Sequence, residues 1–425
     1  MNTGQGRIGA YSLVAPAFLV TLSLAGAWWG FPANVRLLRA TAIVTAWAGT
    51  GLLVGGLALM VREPRWAALM GGLDLMYEWH HRSGVIGYTL LLCHPLVLGM
   101  AALEEPPHAA WLAIAPWHLN RPEWLGWFGL LFLMAGLATT FSRRIGYRRW
   151  RVCHFLAAIG VIGGLSHIFA LLDEPGASLG FMALAAMALI WRLLATDSAL
   201  TSHPFRVTQV ASNAAGVVEA SLAPCGGALV IAPGQFVLAA FVDGPAYRGC
   251  GEFHPFSVSR IGPGGALSVA IKALGPCTSR IQSLKPGALV RLQGPFGRFL
   301  ADNEDRPQLW IAGGIGITPF MAAIRSGEMP KATTTLIYVF RDESDGAFLD
   351  ELKDRARLSP GFELIAQACG ESPPDVLAML SRVTDLPKRQ VQICGPVGLV
   401  NAVTTTLREL GQPVQSIHYE SFDFR

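Results

Sequence analysis

The stretch WHHRSGVIGYTLLLCHPL (residues 79–96) carries three histidines within an apolar run, and YRRWRVCHFLAAIGVIGGLSH (residues 147–167) carries two more. Histidine inside a bilayer is costly and is usually functional. In each stretch one histidine lies near one end and another lies about 20 Å further along a helix. Two helices that offer histidine at two matched depths are arranged to hold two stacked haems, each through two axial imidazoles.

The spacing of the histidines separates the candidate ligands. His80 and His94 are fourteen residues apart, close to four helical turns, so their side chains share a face. His81 is thirteen residues from His94, and we therefore favour His80, with His81 as the alternative. The second pair is also thirteen apart, so its helix needs a local distortion or an oblique approach to the haems. The predicted metal ligands are His80, His94, His154 and His167. Hydrogen-bonded structural histidines are the alternative interpretation.

The composition indicates a membrane protein with a soluble half. Of 425 residues, 52% are hydrophobic and 15% are charged, whereas a soluble protein carries about 25% charged residues. The long uncharged runs lie before Trp191, and the net charge of +4 identifies no nucleic-acid partner. The seven cysteines show no zinc or disulfide spacing. Six apolar segments are long enough to span a bilayer: Ile8–Gly30, Ala40–Val61, Ser83–Leu103, Trp124–Ser142, Val152–Leu172 and Pro175–Trp191.

Arginines predict the orientation of these segments. They cluster after segments 2 and 6 and between segments 4 and 5, at ends that share one side of the membrane. Positive residues mark the cytoplasmic side. We therefore expect a multi-pass integral protein with both termini cytoplasmic and with membrane lipid around it, in a bacterial inner (plasma) membrane.

The sequence after residue 203 has the pattern of two soluble domains. Short β-branched runs such as FRVTQV, GVVEASL, QFVLAAFV, GALSVAIKAL and ALVRLQG predict a small antiparallel barrel over residues 203–300. From residue 305 to residue 425, strand-like and helix-like runs alternate, which predicts an α/β doubly wound domain. The membrane segments account for residues 1–196.

Four short motifs in the soluble half carry candidate binding residues. Two belong to the barrel: His254-Pro255-Phe256-Ser257, and Lys272 followed by Gly275 and Thr278. The other two follow strands of the α/β domain: Gly313-Gly314-Ile315-Gly316-Ile317-Thr318-Pro319, and Cys394-Gly395-Pro396. Glycines between a strand and a helix let backbone amides approach a phosphate. A hydroxyl beside an aromatic ring suits a planar ligand.

The histidine stretches resemble the ferric-reductase-like transmembrane domain shared by NADPH oxidases and ferric reductases. His80, the basic position at His81, Gly84 and His94 match the pattern of that family, and Trp150 stands four residues before His154 as its aromatic residue does. The resemblance implies a six-helix transmembrane haem bundle of the prokaryotic type. It places an inner b-type haem between His80 and His154 and an outer one between the remaining pair.

The soluble motifs resemble the ferredoxin–NADP reductase superfamily in its oxidase and ferric-reductase form. The resemblance implies an FAD-binding barrel and an NAD(P)H-binding domain. Ser257 would bond the flavin ring, His254, Pro255 and Phe256 would line the flavin, and Lys272, Gly275 and Thr278 would hold its phosphates. The nicotinamide nucleotide would lie on the glycine loop (Gly313, Gly314, Gly316, Thr318 and Pro319) and on Cys394, Gly395 and Pro396, with Cys394 near the hydride-donating carbon.

Two further positions follow from the same resemblance. Arg341 stands where an arginine meets the adenosine phosphate, which favours NADPH, with NADH as the alternative. Phe422 is the predicted aromatic cover of the flavin, and Phe424 is the alternative. Ser257, Cys394 and Phe422 are therefore the predicted catalytic residues.

These features together predict a transmembrane NAD(P)H-dependent oxidoreductase that passes electrons through FAD and two b-type haems to oxygen or to a ferric chelate. Arg39 fits the oxygen pocket of the oxidases, but Leu98 stands where they have a histidine. A quinone- or protein-coupled electron-transfer module with a redox partner protein is the main alternative. A haem or iron transporter is a third interpretation, and the intact nucleotide motifs argue against it.

Overall fold

The protein is described by a computed structural model, which describes residues 13–29, 31, 35–103, 110–112, 115–140, 145–172, 176–197, 200–244, 247–301, 306–327, 329–330, 332–413 and 416–421. The chain divides into two compact units, with the boundary between Leu200 and Thr201. The first unit is helical, and the second contains every described strand.

The helical unit contains seven described α-helices. Four helices are long and apolar enough to cross a membrane, with spans Leu37–Ala58, Leu73–Ala102, Arg149–Leu171 and Gly176–Ala195. The described part of the first helix has 16 residues, and a further helix has 18. The helices are α1 (Val14–Trp29), α2 (Leu37–Ala58), α3 (Pro64–Leu69), α4 (Leu73–Ala102), α5 (Arg121–Ala138), α6 (Tyr147–Leu171) and α7 (Gly176–Ile190), which continues as a π-helix over Trp191–Asp197.

The predicted segments lie on these helices, but several bounds differ. α4 begins at Leu73, ten residues before the predicted segment. Its first turns carry Asp74 and Glu78, and a prediction from apolar runs leaves such charged residues out. α6 runs without interruption from Tyr147 to Leu171. The distortion offered for its histidine spacing is therefore absent from this helix, and the oblique approach stays as the prediction.

Glycine pairs set the closest helix contacts. A Cβ on Gly49 of α2 would lie 2.8 Å from the carbonyl oxygen of Gly87 on α4, and a Cβ on Gly129 of α5 would lie 3.0 Å from that of Gly160 on α6. Small residues let membrane helices approach until their backbones touch. Each histidine-bearing helix, α4 and α6, thus has a closely packed neighbour.

The second unit begins with a closed barrel of six antiparallel strands. The strand order is β1-β2-β5-β4-β3-β6, and β6 closes on β1. Phe205, Phe241 and Ile271 are fully buried inside it. The strands are β1 (His203–Ala214), β2 (Val217–Pro224), β3 (Phe236–Phe241), β4 (His254–Ile261), β5 (Leu267–Lys272) and β6 (Leu289–Phe296). The predicted antiparallel barrel is confirmed.

A five-stranded parallel sheet follows, with strand order β11-β10-β7-β8-β9. The predicted alternation of strands and helices is confirmed, and β11 is an addition to it. The strands are β7 (Gln308–Gly313), β8 (Thr334–Phe340), β9 (Phe362–Ala368), β10 (Gln390–Gly395) and β11 (Ile417–Ser421). The helices of this unit are α8 (Pro276–Ile281, in the barrel), α9 (Thr318–Ser326), α10 (Leu349–Leu358), α11 (Val376–Leu380) and α12 (Val397–Glu409).

Candidate functional site

The histidines of α4 and α6 are held by hydrogen bonds from one ring nitrogen. The Nδ1 atoms of His80, His94 and His167 lie 2.9, 2.8 and 2.7 Å from the carbonyl oxygens of Gly56, Ala42 and Pro122. A carbonyl oxygen can only accept, so Nδ1 carries the proton in each ring. The lone pair of Nε2 is therefore available. Metal-bound histidines characteristically donate their other ring N–H to such a carbonyl.

His154 is anchored differently. Its Nδ1 lies 3.2 Å from the hydroxyl of Thr140, and its ring stacks on Trp150 with centroids 5.1 Å apart and an interplanar angle of 18°. The anchors of α4 are both on α2, fourteen residues apart, which matches the spacing of His80 and His94. The packed helix pairs therefore orient the rings.

His80 and His154 face each other across the helical unit. Their ring centroids are 6.1 Å apart, and the ring planes meet at 77°. Two imidazoles on opposite sides of one metal, with bonds of about 2 Å, put their centroids roughly 6 Å apart. The neighbouring His81 is exposed. The geometry of His80 and His154 thus fits one metal held between two imidazoles.

A glycine on α5 makes room for the ring of His167. A Cβ on Gly126 of α5 would lie 3.1 Å from three atoms of the His167 ring. This ring therefore packs directly on the backbone of α5, close to the Pro122 carbonyl that accepts its proton. The glycine was not singled out from the sequence. No local sequence pattern marks it, because its contact is with a ring on another helix.

Ser257 is the centre of the predicted flavin site. It lies on β4, its side chain is 4% exposed, and its hydroxyl has no hydrogen-bond partner among the described residues. Buried hydroxyls are nearly always paired, so an unpaired one calls for an explanation. A bound planar ligand with an acceptor at its edge supplies one. His254, Pro255 and Phe256 precede it on the same strand.

The predicted phosphate cradle forms a tight turn between β5 and α8. The Thr278 hydroxyl accepts hydrogen bonds from the amides of Leu274 and Gly275, both at 2.9 Å, and donates one to the Gly275 carbonyl at 3.1 Å. Thr278 is therefore engaged in shaping the turn. The Leu274 and Gly275 amides are bound to this hydroxyl, so Lys272, at the end of β5, is the predicted residue left to face a phosphate.

The glycine loop joins β7 to α9 beside the end of β10. A Cβ on Gly316 would lie 2.2 Å from the carbonyl oxygen of Cys394, so only glycine fits there. The structure thus brings two predicted motifs together, the loop of Gly313, Gly314, Gly316, Thr318 and Pro319 and the turn of Cys394, Gly395 and Pro396. Thr318 donates its hydroxyl proton to the Ile315 carbonyl at 2.7 Å.

Cys394 is fully buried in the core beneath the loop. Burial raises the pKa of its thiol well above the ordinary value, and the charge of Glu420 adds to the shift. The thiol is therefore protonated at neutral pH. Glu420 lies on β11 in register with Cys394 and was missed from the sequence, where Tyr-Glu-Ser resembled a tail more than a strand.

Two predicted positions remain at the margin of the site. Arg341 follows β8, and its guanidinium lies 3.0 Å from a carboxylate oxygen of Asp345 and 3.4 Å from one of Asp342. Phe422 and Phe424 lie outside the described residues. Phe422 directly follows Ser421, which pairs with Gly395.

Comparisons with known proteins bear on both halves. A family described as the ferric reductase like transmembrane component matches residues 45–165, which include His80, His94 and His154. The chain is 31% identical over 210 residues to the toluate 1,2-dioxygenase electron transfer component of Pseudomonas putida, a match to 46% of this chain and 59% of that protein. It is also 31% identical over 166 residues to ferredoxin–NADP reductase B of Sorangium cellulosum (strain So ce56), a match to 35% of this chain and 68% of that protein. The chain belongs to the ferredoxin–NADP reductase family.

Within this ferredoxin–NADP reductase family, the predicted fusion of a ferric-reductase-like membrane part with an FAD- and NAD(P)-binding part is confirmed. The predicted class, a nicotinamide-dependent oxidoreductase, is confirmed at the level of the family. A solved structure, the flavohem-like FAD/NAD binding domain of nitric oxide dioxygenase from Vibrio cholerae O1 biovar El Tor, aligns with a TM-score of 0.46 at 25% identity, over 52% of this chain and 98% of that one. The chain spans about six-tenths of the length of the P. putida relative.

Proposed function

We propose that this chain is a transmembrane flavocytochrome b that moves electrons from cytosolic NADPH, through FAD and two b-type haems, to an acceptor across the membrane. The observation that supports this most is the set of four histidines on α4 and α6. Three of them donate Nδ1–H to backbone carbonyls, and the His80 and His154 rings face each other at 6.1 Å.

In this proposal His80 and His154 hold the inner haem, and His94 and His167 hold the outer one. When bound, each haem would be held by two imidazoles and would supply one-electron transfer. The four histidines would then be occupied as ligands, and the acceptor would not need one of them. The six apolar helices α1, α2 and α4 to α7 all cross the bilayer, and both termini are cytoplasmic in a bacterial inner membrane.

The soluble unit binds the two nucleotides. FAD, when bound, takes a hydride from the nicotinamide, and haem iron takes single electrons. The Ser257 hydroxyl donates to the flavin edge, Lys272 and the turn at Gly275 and Thr278 face the phosphates, and His254, Pro255 and Phe256 line the ring. The nicotinamide nucleotide lies on Gly313, Gly314, Gly316, Thr318 and Pro319 and faces Cys394, Gly395 and Pro396. Arg341 meets the 2′-phosphate, and Phe422 covers the flavin until the nicotinamide arrives.

The direct test is NADPH-driven reduction of cytochrome c by the detergent-solubilised, FAD-loaded protein, with and without superoxide dismutase. Reduction supports the proposed function, and its absence in a preparation that retains haem and FAD overturns it. If dismutase abolishes the signal, oxygen is the acceptor. If the signal persists, electrons leave directly to an added acceptor, and ferric chelates are tested next.

A redox partner protein is the second candidate for the acceptor. It is favoured by the P. putida relative, which is named an electron transfer component and is 31% identical over 210 residues. In that case the purified chain is reduced by NADPH but turns over slowly with oxygen and with ferric chelates. Addition of a membrane extract that contains the partner then restores turnover.

A further inference from the structure

Four side chains with metal-binding atoms converge at the start of β4. Cys250 and Glu252 precede the strand, His254 begins it, and Cys277 lies in the first turn of α8. The Cys250 sulfur lies 3.9 Å from Nε2 of His254. The Cys277 sulfur lies 3.6 Å from a Glu252 carboxylate oxygen, which is 4.0 Å from the same Nε2. The ligand atoms of Cys250, His254 and Cys277 all lie within 4.8 Å of one another.

These separations are close to the edges of a zinc tetrahedron. Zinc bonds sulfur at about 2.3 Å and nitrogen or oxygen at about 2.0–2.2 Å, which puts tetrahedral ligands roughly 3.3–3.8 Å apart. Three measured edges are 3.6, 3.9 and 4.0 Å. The ligand atoms of Cys250, His254 and Cys277 lie within 4.8 Å of one another, so a contraction of at most about 1 Å would bring these three to tetrahedral separations. Glu252 approaches the group from the side of His254 and Cys277.

The donor set also selects the metal. Two thiolates and one imidazole favour zinc over magnesium or calcium, which prefer oxygen. Within the part of the chain that the structure describes, this is the one group in which three such residues come together. The other described cysteines lie apart from it: Cys93, Cys153, Cys225, Cys369 and Cys394.

We propose that Cys250, Glu252, His254 and Cys277 bind a structural zinc ion. The ion would join β4, which carries Ser257, to α8, whose first turn carries Thr278, and so fix the distance between the two flavin-binding segments. Nε2 of His254 then serves the metal, and only the face of its ring is left for the flavin. The two thiols release their protons on binding.

The test uses the full-length protein purified in detergent without chelators. Elemental analysis is expected to find about one zinc per chain. Cys250→Ser and Cys277→Ser should each lose it, and the matched controls Cys225→Ser and Cys369→Ser should keep it. Replacement by cobalt(II) should give the thiolate charge-transfer band and the intense visible bands of a tetrahedral site in the unsubstituted protein.

Three results would overturn the proposal. One is the absence of zinc and of the cobalt bands after metal supplementation. The second is equal zinc in the Cys250 and Cys277 variants and in the controls. The third is a Cys250–Cys277 disulfide in the freshly purified protein. If the serine variants do not fold, Glu252→Gln is used to test the proposal. This variant is expected to keep normal haem content and to retain zinc against a chelator at least tenfold more weakly. None of these readouts depends on NADPH turnover, so failure here is distinguishable from failure of the proposed function.

Discussion

Removal of the buried Ser257 hydroxyl should have opposite effects on the stability of the protein and on its activity. Because it has no partner among the described residues, Ser257→Ala should leave the stability of the FAD-free protein unchanged or raise it by about 1 kcal/mol. Loss of this hydroxyl as the proposed donor to the flavin should slow NADPH-driven flavin reduction about 100-fold. Stopped-flow bleaching of the flavin and thermal melting measure the two effects.

The matched control for Ser257 is Ser268→Ala. Ser268 is also a buried serine of the barrel, but its hydroxyl pairs with that of Ser221 at 3.1 Å. This change should lower stability and leave flavin reduction alone. The flavin role of Ser257 would be wrong if its alanine variant were destabilised and reduced the flavin at the normal rate.

In the proposed function, Arg341 sets the preference for NADPH over NADH. Its side chain is 61% exposed and is paired with Asp342 and Asp345, so it is positioned but open to a phosphate. Arg341→Ala should raise KM for NADPH at least tenfold, which corresponds to about 1.4 kcal/mol of lost binding, with little change in KM for NADH. Steady-state kinetics with both nucleotides measure it.

The control for Arg341 is Lys388→Ala, which removes another exposed cation that pairs with a neighbouring aspartate. It should change neither constant. Equal losses with NADPH and NADH in the Arg341 variant would show that this arginine has no contact with the 2′-phosphate.

Individual residues also show which parts of the candidate sites could be predicted from the sequence. Helix periodicity was enough to favour His80 over His81, because the argument needed only one element. Gly126 and the Cys250–Cys277 pair needed the tertiary structure. The two cysteines are far apart in the chain, and no local spacing predicts that the segment before β4 and the first turn of α8 meet.

At the scale of elements, Arg325 of α9 ties three segments of the soluble unit together. Its guanidinium pairs with Glu219 of β2 and with Glu351 of α10, lies over the Phe348 ring at 4.7 Å, and is only 7% exposed. Ser259 donates its hydroxyl proton to the same Glu219. Arg325→Met leaves the half-buried Glu219 carboxylate without a cation, with only the neutral donors Ser259 and Asn213, and this should cost about 3–5 kcal/mol.

The same network predicts a pH dependence. Burial alone would raise the pKa of Glu219, but the hydrogen bonds from Arg325 and Ser259 and the charge of Arg325 lower it overall. Stability from this pair is therefore present above the ordinary glutamate pKa of 4.5 and is lost as pH falls through the lowered folded-state value. The deficit of Arg325→Met should shrink over the same range.

Melting followed by release of FAD fluorescence, at pH 7 and at a pH about one unit below the ordinary glutamate pKa of 4.5, measures both effects. The control is Arg357→Met, whose exposed pair with Asp354 should contribute nothing measurable. A deficit of the Arg325 variant that is the same at both pH values would contradict the assignment to Glu219.

The elements that were missed have a physical reason in common. β11 has the sequence Ile417-His-Tyr-Glu-Ser, which is too polar and short to predict a strand, and it forms because β10 offers it a parallel edge. α4 extends through charged residues that no apolar pattern includes. Hydrophobic periodicity predicted the buried strands of the barrel and of the parallel sheet. It did not predict the polar edge strand β11 or the charged first turns of α4.

At the scale of the whole molecule, we expect that a substitution can separate two steps of the proposed electron path. These are reduction of the inner haem by NADPH and reduction of the external acceptor. His94→Ala removes one proposed ligand of the outer haem and leaves His80 and His154, with their anchors at Gly56 and Thr140, intact. The variant should retain about half of its haem, and NADPH should still reduce that half. Reduction of an external acceptor should fall at least tenfold. Optical spectra of the reduced protein and acceptor assays measure the two steps.

The control for His94 is His81→Ala, because His81 is an exposed histidine on the same helix. It should keep full haem content and full turnover. His80→Ala should block both steps, since the inner pair lies between the flavin and the outer pair in the proposed order. Full haem in His94→Ala, or acceptor reduction that survives the loss of the outer haem, would remove the outer pair from the path.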